Sequence, residues 1–260
     1  MSPLRLEILT EEWPLAEAFV ISRGAKTAAQ VVVAQITDGS VRGRGEAVPY
    51  ARYGETVASV VATMSRWSAV ADRFRLIETL PAGAARNAID CALWDLEAKR
   101  SGKSAAAIAG LAEPKPKVTA YTLSLDTPAA MAAKARAHPH LPLLKLKLGG
   151  TGDAERMRAV RQARPDARLI ADANEAWSAA ALAGLLATAA ELGFEVIEQP
   201  LPADADEALR DIVHPVAICA DESAHCAGDI ARLLDRYDAV NIKLDKAGGL
   251  SHALEIAGEA

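Results

Sequence analysis

Leu143-Leu144-Lys145-Leu146-Lys147-Leu148-Gly149-Gly150 is the stretch from which the fold can be read. An apolar run of strand length closed by two glycines predicts a buried β-strand. Side chains two apart on a strand share a face, so Lys145 and Lys147 project into one space. Two ammonium groups in a core are costly without anions beside them. One reading is an edge strand with a solvated lysine face. The other requires the rest of the chain to bring negative charge to that face.

The bulk composition narrows the field. A chain of 260 residues, 51% hydrophobic, can bury one barrel or two modest domains and is not disordered. A net charge of −5 with no basic cluster argues against nucleic-acid binding. Cys91, Cys219 and Cys226 form no CxxC pair and fit a reducing compartment. The N-terminus has no apolar signal core, and no stretch is apolar for long enough to span a membrane. A soluble cytoplasmic protein is expected, without nucleic-acid or membrane partners and compatible with a homo-oligomer.

Residues 3 to about 48 read as an antiparallel meander, with Gln30–Ile36 ending at Asp38-Gly39-Ser40 and a shorter strand from Val41 to Val48. A polar-tipped loop follows at Pro49–Gly54. Helices are expected from about Thr56 to Ala71 and from about Ala84 to Arg100, the second stopped by Gly102. This gives an α+β domain over residues 1–112, with Glu113-Pro114-Lys115-Pro116-Lys117 as linker. From there to residue 260 the pattern alternates. Strands near 118–123, 143–148, 169–174, 196–198, 216–220 and 239–244 are each followed by a helical segment. These lie near 128–137, 153–164, 178–192, 205–212, 229–235 and from 251. Strict alternation predicts parallel β-structure, here six βα units of a (β/α) barrel.

Strands two to six each carry a charge at the C-terminal end: Lys147, Asp172, Glu198, Asp221 and Lys243, spaced by 25, 26, 23 and 22 residues. Each interval is one βα unit. In a (β/α) barrel these ends open onto one face, where active sites lie. Any single acid at such a place is more often a helix cap or a solvated loop residue. Five in register form a pattern of base, acid, acid, acid, base. Three carboxylates at one mouth call for a cation, and all-oxygen ligation suits Mg²⁺ or Mn²⁺ rather than zinc. Two lysines flanking such a site suit removal of a proton α to a carboxylate, an enediolate stabilised by the metal, and return of a proton from the other side. A lysine of ordinary pKa, about 10.4, is mostly protonated at neutral pH. Lys145 and the metal are expected to push Lys147 down.

At these residues the chain resembles the muconate-lactonizing subgroup of the enolase superfamily. The resemblance rests on Lys145-x-Lys147, Asp172-Ala173-Asn174, Glu198-Gln199-Pro200, Asp221-Glu222-Ser223 and Asn241–Gly249. Within the subgroup it is similar to the L-Ala-D/L-Glu epimerases, through segments such as Pro49–Glu55, Leu80–Leu96 and Glu198-Gln199-Pro200-Leu201-Pro202. The resemblance implies a capping domain over residues 1–112, whose loops at Ser22-Arg23-Gly24 and Tyr50–Gly54 close over the barrel. It implies Lys147 and Lys243 as the two acid/base catalysts and Lys145 as an electrostatic assistant. Asp172, Glu198 and Asp221 would be the metal ligands, and Thr122 would help hold the substrate carboxylate. Arg23, and with it Tyr50, would contact substrate, Arg23 through an acidic side chain, although an ordinary surface arginine is an equal reading. The implied substrate is a small acidic dipeptide, and the implied setting is cell-wall peptide recycling.

The family pattern also implies two further strands beyond residue 260, the last carrying acids for the substrate's amino group. The chain is therefore expected to be either a fragment or a barrel completed from elsewhere. N-acylamino acid racemase, o-succinylbenzoate synthase and muconate cycloisomerase use the same lysines and metal and remain alternatives, as does an inactive truncated fragment. Gly149-Gly150-Thr151-Gly152 lacks phosphate-loop spacing and reads as turn chemistry. His138, His140, His225 and Cys226 read as loop residues.

Overall fold

The computed structural model describes residues 4–67 and 73–260. The chain forms strands β1 (Arg5–Ile21), β2 (Gly24–Thr37) and β3 (Arg42–Ala47), then helices α1 (Val57–Met64), α2 (Arg73–Thr79), α3 (Ala84–Ser101) and α4 (Ala105–Ile108). Next come β4 (Tyr121–Leu123), α5 (Pro128–Ala137), β5 (Leu143–Lys147), α6 (Asp153–Ala163), β6 (Arg168–Asp172), α7 (Ala179–Glu191), β7 (Phe194–Glu198) and β8 (Ala217–Ala220). The chain ends with α8 (Ala227–Leu233), β9 (Ala239–Val240), α9 (Leu244–Ala247) and α10 (Leu250–Glu259). Strands β1, β2 and β3 form one sheet in that order, and β4 to β9 form a six-stranded sheet, also in sequence order. Every described pairing in the second sheet is parallel.

Two compact units emerge. One holds the chain up to Pro14, Ala28–Pro116 and Ile242–Ala260; the other holds Leu15–Thr27 and Lys117–Asn241.

In the first unit β3 lies directly against α3, and the sequence Arg42-Gly43-Arg44-Gly45-Glu46-Ala47 shows why. The arginines and Glu46 point outward, and the two glycines point at the helix. A Cβ on Gly43 or Gly45 would overlap the carbonyl oxygens of Ala92 and Ala88. The opposing helix face is Ala88 and Ala92, both fully buried. Small residues on both sides bring the backbones into contact.

The polar face of α3 is spent on the C-terminal segment of the same unit. Buried Arg86 donates to the carbonyls of Gly248 (3.0 Å), Ala247 (2.7 Å) and Leu80 (3.2 Å). Asn87 donates to Asp245 Oδ1 at 2.7 Å. Asp90 accepts from Ser251 N and Oγ at 3.0 and 2.7 Å, and Trp94 Nε1 donates to the same hydroxyl at 3.0 Å. These contacts explain why residues 242–260 group with α3.

In the second unit the alternation expected of β5 is realised. Leu144, Leu146 and Leu148 are fully buried on one face. They pack with Met131, Met157, Val160, Leu169, Leu182, Leu186 and Ile197 in one core. Lys145 and Lys147 therefore occupy the other face. The turn after β5 is built by buried Asp153, whose carboxylate accepts from Gly149 N (3.0 Å), Gly150 N (2.7 Å) and Trp177 Nε1 (2.8 Å). Those amides, a phosphate cradle in outline, are committed to the protein itself, which supports the turn reading.

Several elements differ from expectation. Helix α1 ends at Met64, and residues 68–72, on which the expected continuation to Ala71 falls, lie outside the described residues. The expected helix near 205–212 is only a five-residue 3₁₀ turn, Glu207–Asp211. Asp206, which could have capped it, instead turns its carboxylate inward to Arg236 and Tyr237. Strand β9 has two residues instead of six, because the chain leaves the sheet after Asn241 and winds into α9. Among the described residues, no helix is long and apolar enough to cross a membrane.

Candidate active site

Parallel register lines up the charged strand ends. Lys147 pairs with Asp172, Asp172 with Glu198, and Glu198 with Cys219, two residues before Asp221. Thr122 pairs with Lys145 one layer below. Laterally paired residues of a parallel sheet face the same way. Asp172, Glu198 and Asp221 thus converge, with carboxylate oxygens within 4.8 Å of one another. Among the described residues they form the one such cluster of potential metal ligands. All three are buried, at 0%, 6% and 1% exposure.

The lysines stand against this cluster. Lys145 Nζ meets Asp172 Oδ2 at 3.0 Å and donates to Glu198 Oε2 in a very short contact. Lys147 Nζ donates to Asp172 Oδ2 at 2.7 Å and to Asn174 Oδ1 at 3.0 Å. It also lies 5.8 Å from the centre of the Phe19 ring, within cation–π range. Asn241 Nδ2 donates to Glu198 Oε1 at 2.9 Å.

Burial opposes charge on Lys145, Asp172 and Glu198, and their neighbours decide the outcome. Burial works against the Lys145 ammonium, but the Asp172 and Glu198 carboxylates outweigh it and raise its pKa above the ordinary value. Burial would raise Asp172, yet Lys147 and Lys145 hold it below the usual carboxylate range. Glu198 goes the other way: burial and then the Asp172 charge push it up, against the pull of Lys145.

The donor set fits a hard divalent cation. Three oxygens at this separation match a single ion with metal–oxygen distances of about 2.0–2.6 Å. No histidine or cysteine competes within the cluster.

Arg23, in the two-residue turn between β1 and β2, reaches the loop after β6. It donates to the Asn174 carbonyl at 2.9 Å and pairs with Glu175 at 3.1 Å and Glu222 at 2.7 Å. Ser22 Oγ donates to the same carbonyl at 3.2 Å. Asn174 and Glu175 have left-handed backbones, φ 45° and 68°, which turn that carbonyl outward. Glu222 is buried, and burial followed by the Asp221 charge raises its pKa.

The remaining expected residues are placed as follows. Thr122 is half-buried on β4. Tyr50 precedes the 3₁₀ turn Ala51–Tyr53; its amide donates to Glu55 Oε2 at 3.1 Å and its ring lies 5.5 Å from that of Tyr53. Lys243 is the N-cap of α9, in the first unit, and its carbonyl accepts from Lys246 N and Ala247 N. His225 Nε2 meets the Glu222 carbonyl at 2.9 Å, and Cys226 caps α8. His138 meets the Tyr121 hydroxyl at 3.0 Å. Neither histidine belongs to the acidic cluster.

Sequence reasoning gave no role to Phe19, Asn174, Gln199, Glu222 or Asn241. Asn174 carried a signal, two residues past Asp172 and so on its face. Phe19 carried none.

A parallel sheet with a capping domain and a carboxylate triad flanked by lysines defines an enolase-type enzyme, in which a metal supports chemistry next to a substrate carboxylate. The chain belongs to the mandelate racemase / muconate lactonizing enzyme family: that family's N-terminal domain matches residues 4–110, and the enolase C-terminal domain-like family matches residues 128–260. The chain is 46% identical over 261 residues to the L-Ala-D/L-Glu epimerase of Escherichia coli K12, covering 98% of this chain and 81% of that protein. It is 42% identical over 241 residues to an N-acetyl-D-glutamate racemase of a Pseudoalteromonas species, covering 88% and 75%. Among solved structures, an enolase-family member from Agrobacterium tumefaciens with homology to dipeptide epimerases holds sodium and L-Ala-L-Glu. It superposes with a TM-score of 0.95 at 52% identity, over 99% of this chain and 80% of that one. The dipeptide epimerase of Enterococcus faecalis V583, complexed with Mg and L-Leu-L-Tyr, gives a TM-score of 0.91 at 29% identity, over 100% and 79%. These relatives are epimerases and racemases, and the protein is an isomerase.

Proposed function

We propose that this protein epimerises the α-carbon of the C-terminal glutamate in L-Ala-D/L-Glu dipeptides. The observation that carries the proposal is Lys147. It is a buried ammonium in register with Asp172, at the end of a strand whose neighbours bring three convergent carboxylates. The high identity to the E. coli L-Ala-D/L-Glu epimerase supports the substrate.

In this reading Asp172, Glu198 and Asp221 hold Mg²⁺. A bound divalent ion supplies positive charge to the substrate carboxylate as the α-proton leaves. Lys147 and Lys243 act from opposite faces of the α-carbon. The one in its neutral amine form takes the proton into its Nζ lone pair, and the ammonium of the other delivers a proton to the opposite face, so that configuration inverts. Asp172 and Asn174 orient the Lys147 Nζ. Lys145 keeps its proton and supplies fixed positive charge beside the carboxylates. Thr122 helps to hold the α-carboxylate. Tyr50 and Arg23 contribute from the capping loops, Arg23 by exchanging Glu175 or Glu222 for the substrate's side-chain carboxylate. Residues 1–112 serve as the cap, and a cytoplasmic setting in cell-wall peptide recycling fits cysteines that form no disulfide.

A second reading has its own support in the 42% identity to an N-acetyl-D-glutamate racemase. L-Ala-Glu and N-acetylglutamate are both N-acylglutamates and differ in the acyl part, where alanyl carries an amino group and one more carbon than acetyl. Proton NMR in D₂O with Mg²⁺ separates the two. Loss of the glutamate α-proton signal and a new diastereomer from L-Ala-L-Glu, at a higher kcat/KM than racemisation of N-acetyl-D-glutamate, supports the dipeptide. The reverse ranking overturns it, and exchange in neither compound removes both readings.

A further inference from the structure

Gln199 is wholly buried, at 0% exposure, and carries a left-handed backbone, φ 34°. A glutamine in that conformation is uncommon and persists only where its surroundings fix it. Here the surroundings are the three strands that bear the carboxylate triad. Gln199 directly follows Glu198 on β7. Its carbonyl accepts from Glu175 N at 2.9 Å, three residues past Asp172. Its amide donates to the Cys219 carbonyl of β8 at 2.8 Å. Its side-chain Oε1 accepts from Asp221 N at 2.9 Å and Ser223 N at 3.1 Å. One residue thus binds the ends of β6, β7 and β8, with a triad carboxylate on each.

The orientation of the side chain is forced. Backbone amides only donate, so Oε1 must face Asp221 and Ser223, and Nε2 must face away. Nε2 meets three acceptors, each at 2.9 Å: the Leu201 carbonyl, Ser223 Oγ and Tyr237 OH. With two protons Nε2 serves two of the three at a time, and the two hydroxyls also stand 3.1 Å from each other. Ser223 Oγ and Tyr237 OH each donate to Asp206 Oδ2, at 2.7 Å. Arg236 Nη1 donates to the other carboxylate oxygen, Asp206 Oδ1, at 2.5 Å. Asp206 and Arg236 are buried at 1% and 5% exposure. Arg236 thus holds Asp206, Asp206 takes both hydroxyl protons, the hydroxyl oxygens accept from Gln199, and Gln199 fixes the Asp221 backbone. Every member has a buried partner within hydrogen-bond distance, and a buried network of this kind is rigid.

We propose that Gln199, held from behind by Ser223, Tyr237, Asp206 and Arg236, is a positioning residue that sets the spacing of Asp172, Glu198 and Asp221 and thereby the affinity for the divalent cation. This rests on the metal reading above and extends it to residues that touch neither the metal nor the substrate. The groups that orient a metal's ligands commonly govern affinity by about 10–100-fold.

The test is Mn²⁺ binding by the substrate-free protein, followed by electron paramagnetic resonance of the free ion. Gln199→Met keeps the volume and removes both the acceptor and the donors. Tyr237→Phe removes one hydroxyl from the far end of the chain. Arg161→Met serves as the control. It removes a half-buried clip on carbonyls (Leu192, Arg164, Ala167) at the opposite ends of β6 and β7.

Gln199→Met is expected to raise the Mn²⁺ dissociation constant on the order of 10–100-fold and Tyr237→Phe by several-fold. Arg161→Met is expected to lower Tm without moving it. If Gln199→Met does not fold, Tyr237→Phe against Arg161→Met decides. Wild-type affinity in every folded variant of the network, or an equal loss in Arg161→Met, overturns the proposal. Absence of Mn²⁺ binding by the wild type overturns the metal reading itself, an outcome distinct from equal binding by wild type and variants.

Discussion

Two clusters of buried charge invite comparison. On α3, Arg86, Asn87 and Asp90 are buried at 3%, 3% and 2% exposure. Each ends on a backbone group or a short polar side chain of residues 245–252. Burial depresses Arg86 and raises Asp90, the latter against the hydrogen bonds of Ser251. One guanidinium and two carboxylates, Asp90 and Asp245, each end on separate neutral hydrogen-bonding partners, and the carboxylates do not converge on a common point. At the strand ends of the second unit, three carboxylates face two ammoniums, and the oxygens stand close enough to share an ion. The two sites differ in convergence: the triad's oxygens meet within 4.8 Å, whereas the carboxylates of α3's surroundings are kept apart by their own partners. Charges partnered one by one hold a fold together, whereas carboxylates gathered at one point mark a place for a ligand.

The sharpest break of this contrast is chelation. EDTA is expected to abolish α-proton exchange and Mg²⁺ to restore it, with little change in Tm, because the apolar core of the second unit is built without the triad. A collapse of Tm on chelation would make the triad a structural site as well. Next in size, Lys147→Met is expected to cut kcat/KM by roughly 10²–10⁴-fold, as loss of a general base does, with the folded protein intact. Full exchange activity in that variant would sink the assignment.

Arg86→Met should show the opposite phenotype. Removing the buried donor strands the carbonyls of Leu80, Ala247 and Gly248, at a cost of about 1–3 kcal/mol for each left without a partner, read by urea denaturation. A loss below about 1 kcal/mol would mean that water replaces the guanidinium.

Gly45→Ala tests the close contact of β3 with α3. The new methyl meets backbone, which cannot rotate away, and overpacking of this kind costs about 1–3 kcal/mol. An unchanged midpoint would show that the helix can slide.

The smallest effect belongs to half-buried Asp38. Backbone hydrogen bonds from Val41 and Ser40, then the Ser40 hydroxyl and Arg100, hold its carboxyl well below the usual carboxylate range. A depressed folded value stabilises fully above the ordinary carboxylate range, and the stabilisation is lost as pH falls through the folded value. Asp38→Asn should therefore lie slightly below wild type in Tm at neutral pH, and the gap should close under strong acid. A gap that persists under acid would assign the effect to geometry rather than charge.

The parallel sheet was legible because strand period and glycine-closed ends are local signals. Lys145 and Lys147 stand two apart on one face, and the spacing of Asp172, Glu198 and Asp221 is one βα unit each. The departures have particular causes. The turn Glu207–Asp211 fails to become an α-helix where Asp206 is drawn inward to Arg236. Strand β9 stops at Val240 as the chain winds into α9, whose Asp245 meets Asn87. These partners are 30 and 158 residues away in sequence. No window of local pattern contains them.

By itself, the sequence determined the order of strands and helices, the charge at each strand end and the resemblance to a family. Those are carried by periodicity and residue type, which act over one turn or one strand. Tertiary structure alone decided that Arg23 meets Glu222, that Phe19 lies under Lys147 and that Gln199 binds three strand ends. Such contacts are fixed by the register of β5 to β8 and by where the β1–β2 turn lands. Register is a property of pairing, which no single strand encodes.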